Sequence, residues 1–284
     1  MGKLVLAAKV THVPSLMLSE AAGSPLKSAR ENAVRALREL GRRASERRVS
    51  AFVVFDTHWL SNFGYHINAN PHHRGSFTSH EAPHMIQDLR YDLPGDTALA
   101  EAIAAEAREA GLNVIAHRVA SLGLEYGTIV PMHYMNPDGW AKVVSVASPL
   151  FTSPEESRIL GEATRRAIEQ SDERVAILAS GSLSHRLWPN NNLGPDAWTS
   201  IASEFNRQVD LRVLELWRQG RYREFIDMLP DYATKCNGEG GMADTIMLFA
   251  ALGWYDYHGA AEQLCEYFPS SGSGQVNVEF HVDG

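Results

Sequence analysis

Two histidines and one carboxylate stand at points of the sequence where polar side chains follow apolar segments. His12 ends the first apolar run of the chain, and His58 ends a later run that begins at Ala51. Glu239 lies among the glycines of the segment 237–242 (NGEGGM). Two neutral imidazoles and one carboxylate form a set that holds ferrous iron on one face and leaves the opposite positions open. These three residues therefore predict a metal site.

Each of these residues also has a structural alternative. A single buried histidine is more often a hydrogen-bonded core residue than a ligand, and Glu239 could simply lie in the turn before a helix. The spacing matches no linear metal motif such as HExxH. A zinc hydrolase with the same three ligands is a second hypothesis. A non-catalytic binding protein is a third, but it predicts a missing ligand, and none is missing here.

Two further histidines could transfer protons. His185 follows a third apolar run, in the segment 181–186 (GSLSHR), and His117 ends a predicted strand at 113–117. Because a histidine has a pKa of about 6.5, it can take a proton from a metal-bound phenol and return it within one turnover. His117 could equally be a core or surface residue. The GxSxG, Walker A and GxGxxG motifs are absent, which argues against a serine hydrolase and a nucleotide cofactor.

The region 61–95 contains several more histidines and shows no clear hydrophobic period. A stretch of this length without periodicity suggests a functional lid or an interface loop. We interpret most of its histidines as solvated, with His80 or His84 as those that could reach the pocket. The full set is His66, His72, His73, His80 and His84.

The three runs that end in histidine are short and rich in β-branched residues, as is typical of strands buried on both faces of a parallel sheet. The carboxyl ends of such strands share one edge of the sheet, where open α/β folds build their sites. We expect the strands before His12 and His58 to be neighbours, which would bring the two imidazoles together.

Strands and helices alternate along the chain, without a break in composition. This alternation predicts an α/β fold, in which residues 1–284 form one domain with a mixed β-sheet covered by helices on both faces. Ser153–Glu156 has the pattern of a capping box with proline at the first helical position. Residues 124–131 are expected to lie in a loop. The predicted helices are 27–48, 97–110, 154–170, 196–218, 221–228 and 242–252, and the remaining strands are 51–55, 113–117, 142–147, 174–180 and 275–280.

The composition argues against several partners. The chain has 284 residues and a net charge of -8, from 26 Lys and Arg against 34 Asp and Glu, and no basic block suggests nucleic acid binding. No apolar segment has the length of a membrane span or the pattern of a secretory leader. Two cysteines, Cys236 and Cys265, are too few for a disulfide framework and fit a reducing compartment. We expect a cytoplasmic protein.

The chain resembles the class III extradiol catechol dioxygenases, the family of the protocatechuate 4,5-dioxygenase β subunit and of 2,3-dihydroxyphenylpropionate dioxygenase. The similarity extends over nearly the whole chain. Its most specific stretches are 9–15 (KVTHVPS), 54–59 (VFDTHW), 124–127 (LEYG), 179–186 (ASGSLSHR) and 268–272 (FPSSG).

The resemblance implies Fe(II) bound by His12, His58 and Glu239, with His185 as the main acid/base and His117 as a second one near the substrate oxygens. It also implies a mixed α/β sandwich that assembles as a homodimer or homotetramer and cleaves a catechol with O₂. The leading substrate is 3,4-dihydroxyphenylacetate, while catechol, 2-aminophenol and larger aryl catechols are alternatives. The substrate carboxylate would need a cation, for which the candidates are Arg186, Lys235 and His133.

Overall fold

A computed structural model describes residues 1–194 and 196–282. Among these residues, eight strands form one mixed sheet, and two separate two-stranded pairs lie outside it. In chain order the strands are β1 (Lys3–Val10), β2 (Ala51–Ser61), β3 (Tyr65–Asn68), β4 (His72–Phe77), β5 (Leu89–Pro94), β6 (Val114–His117), β7 (Lys142–Pro149), β8 (Arg174–Ser180), β9 (Ala261–Gln263), β10 (Phe268–Ser270), β11 (Ser273–Gln275) and β12 (Val278–Phe280).

The centre of the main sheet is parallel, and the strands at its two sides make it mixed. The order is β6-β3-β7-β2-β8-β1-β12-β9. Strand β8 pairs in parallel with both β1 and β2, whereas β12 runs antiparallel to β1 and to β9. The carboxyl ends of β1, β2 and β8 therefore meet at one edge. The predicted mixed α/β architecture is confirmed.

Helices cover the sheet in two packed groups. One group contains α3, α5 and α8, and the other contains α1, α2 and α4. Consecutive residues of β2 and β8 are buried, as expected for strands covered on both faces. The helices are α1 (Ser15–Ser19), α2 (Lys27–Glu46), α3 (Thr97–Glu109), α4 (Tyr126–Met135), α5 (Pro154–Gln170), α6 (Glu204–Arg218), α7 (Tyr222–Lys235) and α8 (Ala243–Leu252).

The start of α5 shows the predicted capping box. The Ser153 hydroxyl accepts a hydrogen bond from the amide of Glu156, and the Glu156 carboxylate accepts one from the amide of Ser153. The buried apolar side chains form a hydrophobic core cluster that runs from Leu4 to Phe280. The organisation of residues 1–284 as one domain stays a prediction. Within the described residues, each helix is too short or too polar to span a bilayer.

The expected neighbourhood of β1 and β2 is wrong, because β8 lies between them. The sequence of β8 is apolar at every position from Val175 to Ala179, which suits the most buried strand of a parallel sheet. Hydrophobic pattern indicates that a strand is buried but does not determine its place in the sheet. The histidine-ending strands still share one edge, since all three run in the same direction.

The region 61–95 is also more ordered than its sequence suggests. Strand β3 joins the main sheet between β6 and β7, and β4 pairs with β5 as an antiparallel hairpin. The alternation of polar and apolar residues in these short strands is masked by histidine and glycine. Residues from this region nevertheless line the cavity described below, which leaves the predicted lid role open to test.

Other elements also differ from prediction in their bounds. The expected loop at 124–131 is helical from Tyr126 onwards, as part of α4, whose residues are buried on nearly all sides and so show no amphipathic period. The long helix predicted from 196 begins only at Glu204, after a short 3-10 helix at Ala197–Thr199. Helix α7 continues to Lys235, well past 228. The last predicted strand divides into β11 and β12.

Candidate metal centre

His12, His58 and Glu239 converge at the carboxyl edge of the sheet. Oε1 of Glu239 lies 3.5 Å from Nε2 of His12 and 3.3 Å from Nε2 of His58. The two imidazole rings are 4.8 Å apart and nearly perpendicular. His12 and Glu239 are buried, and His58 is partly exposed. One ligand atom from each residue therefore lies within 4.8 Å of the others, as a shared metal ion requires.

The orientation of His12 is fixed by a chain of hydrogen bonds. Its Nδ1 lies 2.9 Å from the Ser180 hydroxyl, and that hydroxyl donates to the carbonyl of Gly127 at 2.5 Å. Because a carbonyl only accepts, the Ser180 oxygen must accept from the Nδ1 proton of His12. A neutral His12 is then the tautomer that carries its proton on Nδ1. Its Nε2 has a free lone pair facing Glu239, as a metal ligand needs.

The free Gly127 carbonyl follows from the sequence of α4. Pro131 stands four residues after Gly127 and has no N–H, so it cannot form the usual helical hydrogen bond to that carbonyl. The carbonyl is instead used by Ser180. Pro131, a residue type that normally disrupts a helix, thus leaves the Gly127 carbonyl free to accept from Ser180. Ser180 in turn orients His12.

His58 is directed to the same point by Asp56. The Asp56 carboxylate accepts hydrogen bonds from the backbone amides of His58 and Trp59 at 2.8 and 3.2 Å. The pairing of β2 with β7 becomes irregular after Asp56, which lets the end of β2 bend over the sheet edge. Burial lowers the pKa of His58, but the carboxylates of Glu239, Asp56 and Glu81 together outweigh this effect, so the net pKa is raised.

Glu239 is held by hydrogen bonds to both of its carboxylate oxygens. Oε1 accepts from the Thr57 hydroxyl at 2.9 Å, and Oε2 accepts from the amide of Ser182. The glycines that follow it adopt positive φ, with values of 54° at Gly240 and 64° at Gly241. Burial alone would raise the pKa of Glu239, but the nearby histidines, His185 first among them, hold it well below its usual range.

The residues present fit a divalent transition metal. They offer two imidazole nitrogens and one carboxylate, with His12 and Glu239 oriented by further hydrogen bonds, and a cavity lies beside them. A second group of possible ligands, Glu262, Glu279 and His281, has a different explanation. Arg43 lies 2.6 Å from Glu262 and 2.7 Å from the buried Glu279, so the carboxylates of that group belong to an ion-pair network.

A cavity of about 220 Å³ is lined by two of the three possible ligands, His12 and His58. Its size suits a single aromatic ring with a short substituent, since pockets for larger organic ligands exceed about 300 Å³. His185 lines it, with Nε2 3.9 Å from Oε1 of Glu239 and a partly exposed ring. The segment that carries His185 is anchored by Asp210, which accepts hydrogen bonds from the amide and the hydroxyl of Ser184.

The structure does not bring His117 to this cavity. Its ring lies 4.7 Å from that of His66 and 6.5 Å from that of Trp59, at the end of the edge strand β6. Strands β3 and β7 separate β6 from β2, so His117 is remote from the ligands. Its expected position near the substrate oxygens is therefore wrong. The pKa of His117 is lowered by burial and by His66.

The other histidines of 61–95 also lie outside the cavity lining. His72 is exposed, as predicted. His80 and His84 are exposed too, and neither lines the cavity that one of them was expected to reach, although the ring of His84 lies 5.9 Å from that of Trp198, which does line it. His73 differs from prediction, because it is buried and its Nε2 donates to the carbonyl of Val143.

The three cations considered for a substrate carboxylate do not line the cavity either. Lys235 pairs with Asp231, and Arg186 is exposed beside His185. His133 lies near Glu20, in a larger open groove of about 820 Å³ between the β4–β5 hairpin and α4. That groove contains no cluster of possible metal ligands among the described residues, whereas the smaller cavity adjoins one.

Tyr126 is a site residue that sequence reasoning did not single out. Its hydroxyl lies 2.7 Å from Nε2 of His58 and donates to the carboxylate of Glu81. Burial, reinforced by Glu81, raises its pKa far above the usual range, so Tyr126 stays protonated. The motif LEYG at 124–127 was the available signal, but it was assigned to a loop with no chemical role.

Comparisons with known proteins agree with this geometry. Residues 6–281 match the family described as the catalytic LigB subunit of aromatic ring-opening dioxygenase. The chain is 48% identical to a 3,4-dihydroxyphenylacetate 2,3-dioxygenase of Escherichia coli, over 93% of this chain and 95% of the relative. It is 28% identical to a 2-aminophenol 1,6-dioxygenase β subunit of a Pseudomonas species, over 84% and 79% of the two chains.

A solved structure shares the fold. It is that of an uncharacterised protein from Escherichia coli K12, with a TM-score of 0.67 and 17% identity, and the match covers 97% of this chain and 99% of that one. At this identity the likeness supports the fold alone. Taken with the family match over nearly the full length, the comparisons show that this chain belongs to the LigB family of aromatic ring-opening dioxygenases.

Proposed function

We propose that this dioxygenase is an iron(II) enzyme that opens the ring of 3,4-dihydroxyphenylacetate beside the diol. The observation that carries the proposal is the convergence of His12, His58 and Glu239 beside a cavity that His12, His58 and His185 line. Two imidazoles and one carboxylate are the ligands typical of oxygen-using iron(II) sites. The name of the 48% identical Escherichia coli relative supports the choice of substrate.

The residues of the chain have separate tasks in this reaction. When bound, iron(II) would supply the electron transfer between the catechol and O₂ that neither can perform directly with the other. His12, His58 and Glu239 would hold it, and their hydrogen bonds keep them in place. His185, whose Nε2 faces the same cavity, takes a proton from a catechol hydroxyl and returns it later in the turnover.

Tyr126 differs from His185 because it keeps its proton. Its hydroxyl proton is held by Glu81, and its oxygen accepts from Nε2 of His58 only while that nitrogen carries a proton, so binding of a metal at Nε2 would end this hydrogen bond. The overall reaction adds both atoms of O₂ to the substrate. One carbon–carbon bond of the ring breaks, and the product is a 2-hydroxymuconic semialdehyde that carries the substituent of the substrate.

Oxygen consumption tests the proposal directly. Protein purified without air and loaded with Fe(II) should consume one O₂ for each 3,4-dihydroxyphenylacetate and form a yellow product. Catechol and 2-aminophenol should be poorer substrates. Absence of ring opening with any catechol would overturn the proposal. A protein that retains zinc and is indifferent to oxygen would instead favour the metal hydrolase.

We also infer a homodimer or homotetramer. The support is a group of exposed apolar side chains at one end of the sheet, where Phe63 and Phe151 are 81% and 89% exposed. The two lie near each other, since the amide of Leu150 bonds to the carbonyl of Ser61. Such patches commonly mark interfaces. Light scattering on the purified protein tests the assembly, and a monomer at micromolar concentration would contradict it.

We infer further that the protein works in the cytoplasm. Cys236 and Cys265 are both unpaired and buried, which suits a reducing compartment. Cell fractionation with an antibody to the protein would test this location.

A further inference from the structure

Arg30 is a buried cation behind the wall of the metal cavity. It belongs to α2 and is 1% exposed. Its Nε donates to the Ser15 hydroxyl at 2.8 Å, and its Nη2 donates to the Trp198 carbonyl at 2.7 Å and to the Ser270 hydroxyl at 3.3 Å. Phe268 packs against the guanidinium, with its ring centre 5.0 Å from Cζ.

The charge of Arg30 has no counter-ion in the described part of the chain. All of its hydrogen-bond partners there are hydroxyl or carbonyl oxygens. Burial of an unpaired charge is costly, and here it lowers the pKa of Arg30 to about 10. At neutral pH the guanidinium is therefore still charged, in a protein whose net charge is -8.

Three of the residues that hold Arg30 also line the cavity over the metal ligands. These are Ser15, Trp198 and Ser270. Within the described residues the cavity lining includes no lysine or arginine, so Arg30 is the cation directly behind it. The positive charge and the metal site thus share one small cavity, separated by a layer of serine hydroxyls.

The hydrogen bonds determine whether each serine hydroxyl accepts or donates. A guanidinium has only donors, so the oxygens of Ser15 and Ser270 both accept from Arg30. Each serine keeps its own O–H to donate. The two oxygens are 3.2 Å apart, and one proton at most can lie between them. At least one polarised O–H is therefore left without an acceptor there, and it is able to turn towards the cavity.

We propose that Arg30, acting through Ser15 and Ser270, selects catechols that carry an anionic side chain. The serine hydroxyls donate to the carboxylate of the substrate, and the guanidinium behind them supplies the missing counter-charge. Arg30 is then a positioning residue, while the two serines contact the substrate. This inference rests on the proposed catechol dioxygenase function, and it explains how a cavity without an exposed cation takes a carboxylate.

A pair of substrates separates this role from a structural one. 4-Methylcatechol has the same diol as 3,4-dihydroxyphenylacetate but no carboxylate. In Arg30→Gln, the ratio of kcat/KM for the acid to kcat/KM for the neutral catechol should fall at least about tenfold, mainly through KM. Arg30→Lys should recover part of the ratio. Equal losses on both substrates would overturn the proposal.

The matched control is Arg38→Gln, on the same helix. Arg38 is exposed and pairs with Glu20, so its loss should leave the ratio unchanged. If Arg30→Gln does not fold, the double variant Ser15→Ala with Ser270→Ala keeps the guanidinium in place and should show the same fall in the ratio. An unchanged ratio in that variant would also overturn the proposal.

Binding without turnover distinguishes this inference from the proposed function. Calorimetry with 4-hydroxyphenylacetate and 4-methylphenol on the Fe(II)-loaded protein kept without air should show tighter binding of the acid, and the serine double variant should lose that preference. A wild-type protein that prefers the acid but opens no catechol would refute only the proposed function. A wild-type protein that opens catechols with no preference for the acid would refute this inference alone.

Discussion

Nζ of Lys9 donates a 2.5 Å hydrogen bond to Oδ2 of Asp244, and both side chains are fully buried. The pair joins β1 to α8 beneath the segment that carries His185. A side chain at Gly181 would collide with it, because a Cβ there would lie 2.7 Å from Oδ2 of Asp244. Burial raises the pKa of Asp244, and Lys9 opposes that rise. The floor of the metal site is therefore ionic.

Removal of one member of this pair should be far more damaging than removal of both. Asp244→Ala leaves an ammonium group buried without a partner and should lower the free energy of unfolding by about 3–5 kcal/mol. The double variant Lys9→Met with Asp244→Leu should recover most of this loss, because apolar groups of similar volume need no counter-charge. Urea denaturation measures both. Equal destabilisation of the single and double variants would contradict the prediction.

Substitution of Glu239 should remove the metal, whereas substitution of His185 should remove turnover and leave the metal bound. Glu239→Gln removes the only charged ligand, so the purified protein should lose most of its metal by elemental analysis. His185→Gln should keep its metal and lose about 10²–10⁴-fold in kcat, the range expected for a general acid–base residue. Loss of metal from the His185 variant would show that this histidine is a ligand instead.

The hydrogen bond from His12 to Ser180 should tune metal affinity. Ser180→Ala removes the group that fixes the His12 tautomer and should weaken metal binding about 10–100-fold, as measured by competition with a chelator. Ser148→Ala is a matched control, because Ser148 is equally buried but its hydroxyl has no hydrogen-bond partner among the described residues. Similar affinities in both variants would remove Ser180 from the site.

Stability should fall as the solution becomes acidic, partly because of His73. Burial lowers the pKa of His73, so the folded protein keeps this ring neutral while the unfolded chain binds a proton below about pH 6.5. The unfolded state is then favoured as pH falls from 7 towards 5. Thermal unfolding across this range should show a smaller decline in His73→Gln than in the wild type. An identical pH profile would exclude His73 as a cause.

Much of the site could be anticipated from residue types and positions at strand ends. His12, His58 and Glu239 do converge, because parallel strands end at a common edge and because the glycines after Glu239 permit a close approach. Their role as possible metal ligands could be predicted without knowing the order of the strands. The strand order could not be predicted, because β1, β2 and β8 have the same hydrophobic pattern although β8 lies between the other two.

The residues that were missed lack a local signal. Arg30 stands in an amphipathic helix where arginine is usually solvated, and only the fold reveals that it faces inwards. Tyr126 belongs to a helix that is buried on nearly all sides and contains a proline, so neither periodicity nor propensity identified it. His117, in contrast, was expected near the cavity and does not line it. Its place at the end of a strand predicted the edge of the sheet but not the distance along that edge to the cavity.

The proline in α4 has an evolutionary consequence. Pro131→Ala would ordinarily be regarded as an improvement, since alanine favours a helix by about 3 kcal/mol over proline. Here the new amide would compete with Ser180 for the Gly127 carbonyl and release the group that orients His12. Selection for a more stable protein would then favour alanine at position 131. Selection for tight metal binding would favour proline, so the two act in opposite directions on this one residue.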